Sequence, residues 1–223
     1  MLTFLHFLEE QVQLEKDASE ERRQFVITKF REYKTLWNTY KNNENKMPRY
    51  KELNKSEELY EQNICLIPNW ANFQIHFYVA DIQATLRDNN IQNISFSVLD
   101  NLLRQDLSLS RKTYTKAKKT VHKGNKQPNQ YHKYESLIIL NFAELSFHSL
   151  LDGHHRYCEH KIRNDSTVPV KIIQSIDACP YIVFQRDFVV YYILHNAIAL
   201  INFINGQNDA INDLLKIQDF LGN

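Results

Sequence analysis

The sequence is poor in glycine, poor in cysteine and almost without net charge. Only 4 of its 223 residues are glycine, so few positions allow the backbone to turn sharply without steric cost. The three cysteines are widely spaced and form no C-x-x-C pair, which argues against a disulfide framework or a thiolate zinc site. Because 27 basic side chains face 26 acidic ones, no overall field draws the protein to nucleic acid.

Long hydrophobic runs are also scarce. Residues 1–8 are apolar but lack a basic leader and a cleavage site, so we expect a helix start there. The other candidate, residues 188–204, contains His195, Asn196 and Asn202, which would be costly in lipid but can find partners in a buried helix. We therefore expect a packed helix, no membrane span and a cytoplasmic location.

The first half of the chain has mainly helical periodicity. Apolar residues spaced by threes and fours predict helix over residues 2–42, with a break near 17–19 where Ser19 can cap a second helix. Pro48 marks a loop over residues 42–55. A further apolar face predicts another helix over residues 70–88.

The second half alternates between strand and helix patterns. Residues 94–99 suit a short strand, although 98–104 could equally be helical, and residues 110–123 predict a helix. Strands are expected at residues 137–140, 147–151 and 168–173, with a helix over 155–162 and two terminal helices over 188–204 and 209–221. The predicted class is α+β, with a helical region 1–92, a core 93–176 and C-terminal helices 177–223 packing on that core.

One short run concentrates the polar chemistry of the chain. Asp152, Gly153, His154, His155 and Arg156 follow one another where the predicted strand 147–151 gives way to a helix. A rare glycine there suggests a sharp turn, and the first amide groups of a helix attract negative charge. Arginine adds a forked donor that suits phosphate or carboxylate. The run therefore predicts an anion site.

The same run resembles a known family. The order of apolar strand, DGHHRY, helix and VPVKII is similar to the core of the ParB/sulfiredoxin fold over roughly residues 94–173. Within that superfamily, the DGHHR motif is most similar to that of the ParB-like free-serine kinases. The resemblance implies that the turn grips the phosphates of ATP or ADP, with Mg²⁺ as cofactor. Sulfiredoxins carry a cysteine where this chain has His154, so sulfinic-acid reduction is not expected. Partitioning ParB proteins have acidic and basic residues where this chain has His154 and His155, and they continue into a helix-turn-helix region that we do not find here.

The candidate site residues have alternative structural roles. Asp152 could orient a substrate hydroxyl or bind Mg²⁺, or simply cap the helix. His154 and His155 could bind phosphate or exchange a proton, and we expect one to line the site while the other packs beneath it. Arg156 could bind phosphate together with Gly153, or form a surface salt bridge. The serine-kinase relatives use a glutamate as base after their first strand, but residues 99–106 contain only the carboxylates of Asp100 and Asp106.

Two other interpretations compete with the nucleotide site. Potential metal ligands cluster near the turn, but their spacing includes no H-x-x-x-H or H-E-x-x-H pair. These ligands are His148, His154, His155, Cys158, Glu159 and His160. Basic residues also cluster over residues 111–126, with Tyr114 and Tyr131 nearby, and such a stripe could bind a nucleic-acid backbone or form a solvated helix face.

The sequence thus predicts a nucleotide-binding protein that transfers phosphate from ATP or ADP to a small hydroxyl-bearing metabolite. Asp152, His154, His155 and Asp106 are the expected catalytic residues, and Gly153, His154, His155 and Arg156 are expected to hold the nucleotide. The alternatives are a non-catalytic nucleotide or nucleic-acid binding module, which is less favoured, and a metal-dependent nuclease or phosphodiesterase.

Overall fold

The computed structural model of the protein describes residues 1–45, 61–65, 74–78, 82, 86, 91–103, 111–123, 136–142 and 147–215. The chain divides into two compact units. One contains the described residues up to 45 and those from Ile182 onward, and the other contains those between Tyr78 and Tyr181. The boundary falls within two short strands, β1 (Glu61–Cys65) and β2 (Gln74–Tyr78).

The remaining elements make this an α+β protein. The helices are α1 (Leu2–Leu14), α2 (Glu20–Tyr40), α3 (Phe96–Leu103), α4 (Arg111–Lys123), α5 (His154–Arg163), α6 (Ser175–Ala178) and α7 (Gln185–Ile204). The further strands are β3 (Gln92–Ser95), β4 (Leu137–Phe142), β5 (Phe147–Asp152) and β6 (Thr167–Gln174), and two 3₁₀ turns lie at Cys179–Tyr181 and Asn208–Asp213.

The first unit is helical. Helices α1 and α2 are separated by the predicted break, and the Ser19 side chain caps α2 by accepting a hydrogen bond from the backbone N–H of Arg22 at 3.3 Å. Helix α2 packs against both α1 and α7, and apolar side chains of all three form a common core. That core includes Leu5, Val12, Val26, Phe30, Val189, Ile193 and Leu200.

Helix α7 is long and apolar enough to cross a bilayer by length and composition, and 72% of its most apolar 18-residue window is buried inside the protein. Its polar side chains find partners. Nε2 of His195 lies 2.6 Å from the carbonyl oxygen of Asp213, and Oδ1 of Asn196 accepts a hydrogen bond from the backbone N–H of Leu215 at 2.9 Å. The prediction of a packed helix over residues 188–204 is confirmed.

The second unit is built on a four-stranded sheet with the order β3-β6-β4-β5. Strands β6 and β4 are parallel, while the outer pairs β3–β6 and β4–β5 are antiparallel. Alternate residues of a strand point to opposite faces, and here one set meets α3, α4 and α5 in a buried core. That core includes Leu137, Ile139, Val168 and Val170 from the sheet and Leu99, Leu103, Ala117 and Tyr157 from the helices.

Several predicted elements are confirmed and three are corrected. The strands at 137–140, 147–151 and 168–173 and the helices at 110–123 and 155–162 all form, each with small shifts at its ends. Residues 94–99 are not one strand, because β3 ends at Ser95 and α3 begins at Phe96, and the alternative helix over 98–104 is confirmed up to Leu103. The described part of the predicted helix 209–221 is a 3₁₀ turn that ends at Asp213. Residues 216–221 and the predicted loop 125–133 lie outside the described residues.

The helix predicted over residues 70–88 is wrong over residues 74–78, which form strand β2, whereas Ile82 is helical. Phe73 and Phe77 have helical spacing, but Ile75 and Phe77 also alternate as a strand does. Tertiary contacts decide between the two patterns. The backbone N–H of His76 donates to the buried carboxylate of Asp187 at 2.9 Å, and the carbonyl of His76 accepts from the backbone N–H of Val183 at 2.9 Å.

Candidate functional site

The candidate site begins with a sharp turn between β5 and α5. Gly153 is the N-cap of α5 and has φ 100° and ψ 19°, in the left-handed region, so the sharp turn predicted at this glycine is confirmed. A Cβ atom at this position would lie 2.5 Å from Cδ2 of Leu137 and 3.2 Å from Nη2 of Arg156. Glycine is therefore required both by the backbone conformation and by the close approach of two side chains.

The Arg156 guanidinium fastens this turn. Its Nη2 lies 2.9 Å from Oδ2 of Asp152 and donates to the carbonyl oxygen of Ser136 at 3.3 Å. Both members of the ion pair are mostly buried, with 14% and 17% of their side-chain surface exposed. The pair is thus neither a loose surface salt bridge nor a fully buried one. It holds a forked donor directly beside Gly153.

The start of α5 has the charge pattern of an anion-attracting helix end. The N-cap glycine offers no side-chain acceptor, and the first turn contains no acidic residue, whereas His160, Lys161 and Arg163 lie in the last turn. Because the helix dipole is positive at its N-terminus, the potential at the first turn is not offset by a carboxylate of the helix itself. The Asp152 carboxylate just before the turn is already paired with Arg156.

His154 is a half-buried imidazole at the first helical position. Burial lowers the pKa of His154 from its ordinary value, and the nearby Asp152 carboxylate only partly opposes this effect. The side chain is consequently neutral at neutral pH and can both donate and accept a hydrogen bond.

His155 faces a different set of partners. Its Nδ1 lies 2.9 Å from Oε1 of Glu159, one helical turn away, and Oε2 of Glu159 accepts from Nη2 of Arg163 at 3.3 Å. The Glu159 side chain is buried, with 5% exposed. Nε2 of His155 is also buried, and it has no hydrogen-bond partner among the residues that the structure describes. Spacing alone pointed to Glu159 as a neighbour of His155, but not to its burial.

The two candidate bases have different outcomes. Asp106 lies outside the described residues. Asp100 lies on α3 and its Oδ1 accepts hydrogen bonds from the Tyr157 hydroxyl and, at 3.0 Å, from the Lys161 ammonium group. Tyr157 is 1% exposed and stacks on Phe96, so the prediction that this tyrosine is a packing residue is confirmed.

The potential metal ligands near the turn are dispersed by the fold. Cys158 is buried in the core, where burial raises the pKa of its thiol. Glu159 pairs with His155 and Arg163, whereas Nδ1 of His160 lies 2.7 Å from the Asp165 carboxylate. Within the described ranges, no group of three or more His, Cys, Asp or Glu side chains is placed to hold a metal ion.

Most of the basic cluster predicted over residues 111–126 lies on α4, which packs against α5. Ala117 is fully buried at this contact, whereas Arg111 and the lysines at positions 112, 116, 118 and 119 are exposed. The exposed basic residues are Arg111, Lys112, Lys116, Lys118, Lys119 and His122. Lys126 and Tyr131 lie outside the described residues.

Fold and site together define an α+β protein with a strand–glycine–helix turn that the Asp152–Arg156 ion pair holds in place. Comparisons of the chain with models of known protein families, with curated protein sequences and with solved structures give no significant match.

Proposed function

We propose that this protein binds a nucleotide through the turn before α5 and transfers a phosphoryl group from ATP or ADP to a small hydroxyl-bearing metabolite. The observation that carries the proposal is the geometry of Gly153 and Arg156. A left-handed glycine brings the backbone to the start of a helix without a capping side chain, and a guanidinium already lies 3.2 Å from the position of the missing Cβ. Phosphate oxygens suit such a combination of amide and guanidinium donors.

The resemblance to the ParB/sulfiredoxin fold supports the same proposal. In that family the turn between a strand and a helix grips phosphates, and a second strand follows the helix. Here β5, the DGHHR turn, α5 and β6 follow in that order. We extend the resemblance to the ParB-like serine kinases as the working hypothesis for the substrate class.

The residues around the turn fit a nucleotide better than a protein-bound metal ion. Arg156 and the first amide groups of α5 would hold the phosphates, and Asp152 and a histidine would orient the reacting groups. Mg²⁺ would neutralise the phosphates, and it usually takes few ligands from the protein and several from phosphate and water. The Asp152 carboxylate is placed for such a contact if Arg156 turns from it to the phosphates. Because the required donors are present at the turn, a resident zinc or iron centre is not part of the proposal.

A second candidate function follows from α4. This helix carries six lysine or arginine residues and no acidic residue, and most of its basic side chains are exposed. A nucleic-acid backbone could bind to this face, which would make the protein a non-catalytic binding module. The nuclease or phosphodiesterase alternative would need a metal-bound water at the turn.

Thermal-shift measurements with ATP, ADP and Mg²⁺ test the proposed function. A ligand that binds only the folded state raises the unfolding temperature with its concentration relative to Kd. We expect stabilisation by ATP or ADP that grows when Mg²⁺ is added, and a matched loss in an Arg156→Lys variant, whose ammonium cannot replace the guanidinium fork. No shift with either nucleotide up to millimolar concentration would overturn the proposal.

Phosphoryl transfer is tested separately with radiolabelled ATP or ADP and a panel of small hydroxyl compounds that begins with L-serine. We expect label to appear in one acceptor. Binding of nucleotide without transfer to any acceptor would favour the non-catalytic module instead.

A further inference from the structure

The contact between His155 and Glu159 resembles the pairs in which a carboxylate fixes the tautomer of a catalytic histidine. The two residues are separated by one turn of α5, with Nδ1 of the imidazole 2.9 Å from Oε1 of the carboxylate. The carboxylate is 5% exposed, while the imidazole is 31% exposed. The anchor is therefore buried and the imidazole lies nearer to the surface.

The hydrogen bond between this pair fixes one proton of the imidazole. An ionised carboxylate can only accept hydrogen bonds, so Nδ1 of His155 carries a proton. Glu159 also contacts Arg163 at 3.3 Å, so its second oxygen has a partner of its own.

A neutral imidazole with its proton on Nδ1 has a lone pair on Nε2. That atom is buried and has no partner among the described residues. A buried polar atom without a partner costs on the order of 1–3 kcal/mol, which a ligand that donates a hydrogen bond would remove. A phosphate oxygen cannot donate and would be repelled, whereas a hydroxyl group donates.

We propose that Glu159 is a positioning residue and His155 the general base of the proposed reaction, with Nε2 accepting the proton of the acceptor's hydroxyl group. This assignment rests on the proposed function. As the hydroxyl proton passes to Nε2, the hydroxyl oxygen forms a bond to the terminal phosphorus of the nucleotide. The bond from that phosphorus to the bridging oxygen breaks, the shortened nucleotide leaves with the electron pair, and the imidazolium later releases its proton to solvent.

The same step gives distinct roles to the carboxylates that the sequence offered as bases. Asp100 is engaged by Tyr157 and Lys161, which makes it a link between α3 and α5. His155, by contrast, combines a fixed proton on one nitrogen with an available lone pair on the other, which is the arrangement of the base in Ser-His-Asp enzymes.

The test is nitrogen NMR of the full-length protein with ¹⁵N-labelled histidine, since it reports the tautomer of each imidazole without any ligand or turnover. In the wild type we expect the neutral form of His155 to have its proton on Nδ1. In Glu159→Gln the charge that selects this tautomer is lost, and we expect a mixture of the two neutral forms. A wild-type His155 with its proton on Nε2, or an unchanged tautomer in Glu159→Gln, would overturn the assignment.

The chain supplies two matched controls. His6 and Glu10 have the same i, i+4 spacing on α1 but are 67% and 60% exposed and 3.5 Å apart, so Glu10→Gln should leave His155 unchanged. Asp165→Asn removes the partner of His160 at the far end of α5 and should alter only His160. Denaturation curves identify any variant that unfolds, and Arg163→Met, which leaves the His155–Glu159 contact in place, provides a second test on a folded chain. In that variant Nδ1 should still carry a proton, because the Glu159 carboxylate remains beside it.

Kinetics then separate this inference from the proposed function. With ATP or ADP and an accepted hydroxyl compound, His155→Asn should lower kcat by about 10²–10⁴-fold, the usual contribution of a general base. Glu159→Gln should lower it by about 10–100-fold, as removal of an orienting partner does, with little change in KM for nucleotide. Absence of wild-type transfer would refute the proposed function, and the tautomers would still decide the role of Glu159. Wild-type transfer with unchanged kcat in His155→Asn would refute the base alone.

Discussion

The two ends of α5 are built by opposite means. At its C-terminus Asn164 adopts a left-handed conformation with φ 56°, and the backbone N–H groups of Asn164 and Asp165 donate back to carbonyls of the last turn. Nδ1 of His160 also contacts the Asp165 carboxylate at 2.7 Å. At the N-terminus the left-handed residue is Gly153, which provides no capping side chain. One end closes on its own groups, while the other keeps donors in a shape that suits an external anion.

The largest expected effect comes from filling the space at Gly153. Gly153→Ala combines backbone strain in the left-handed region with a Cβ placed 2.5 Å from the buried side chain of Leu137. We expect the free energy of unfolding to fall by about 2–5 kcal/mol, since the left-handed backbone costs about 1–2 kcal/mol and overpacking about 1–3 kcal/mol. Urea denaturation measures the change.

Gly206→Ala is the matched control for this substitution. Gly206 has φ 93°, but a Cβ there would meet nothing within 4 Å. The loss should therefore be about 1–2 kcal/mol, the cost of the conformation alone. Equal losses at the two glycines would show that the close approach of Leu137 and Arg156 does not matter.

The contrast between these glycines also shows what sequence can predict. The turn at Gly153 was predictable because a rare glycine separated an apolar run from a helical one. The strand Gln74–Tyr78 was not, because Ile75 and Phe77 fit either period and only contacts from distant residues selected one of them. The candidate site likewise has a part that could be predicted from the sequence and a part that could not. His155 could be proposed from its position, but the buried partnership with Glu159 depends on how α5 packs.

The next largest effect is expected from substituting Arg156, and a second arginine of the same helix, Arg163, serves as the comparison. Arg156 and Arg163 each pair with a carboxylate four residues earlier, but Arg156 is 14% exposed and Arg163 is 38% exposed. We expect Arg156→Ala to weaken nucleotide binding by about 1.5–3 kcal/mol, the range for hydrogen bonds to charged groups. Because Asp152 and the Ser136 carbonyl also lose a donor, some loss of stability should accompany it.

Calorimetry with ADP and urea denaturation measure both effects on the two variants. Arg163→Ala should leave nucleotide affinity unchanged and cost less stability than Arg156→Ala, because Glu159 keeps its contact with His155. If both variants bound ADP like the wild type, the phosphates would not lie at Arg156.

A smaller effect is expected at His154, in the pH dependence of the free energy of unfolding. Burial lowers the pKa of His154 in the folded state below its unfolded value of about 6.5. The folded state therefore binds fewer protons than the unfolded one once the pH falls below that value. Stability should be constant above about pH 7 and decrease as the pH falls from about 6.5 through the lower folded pKa. His154→Gln should flatten this decrease in denaturation curves measured between pH 7.5 and 5, and an unchanged slope would contradict the burial argument.

His148 provides a comparison for that measurement. Burial also lowers the pKa of His148, but this residue lies within β5, away from the turn itself. His148→Gln should therefore flatten the pH dependence without changing nucleotide affinity. Any change in ADP binding that is confined to His154→Gln would separate a site residue from a merely buried one.

The smallest expected effect lies on α4, where basic side chains are concentrated on one helix. Lys116 and Lys119 are exposed on the side of α4 opposite the buried Ala117. If they are only a solvated face, Lys116→Glu combined with Lys119→Glu should leave nucleotide turnover nearly unchanged, because a neighbouring charge in water interacts by about 1 kcal/mol or less.

A nucleic-acid module that pairs several lysines with phosphates must instead lose affinity steeply as salt rises. Anisotropy titrations with labelled single-stranded RNA and DNA at low and physiological salt decide between them. We expect no strong binding of either polymer. If the protein instead bound RNA or DNA with submicromolar, salt-sensitive affinity, and the double variant abolished that binding, then α4, rather than the turn at Gly153, would be the functional surface of this protein.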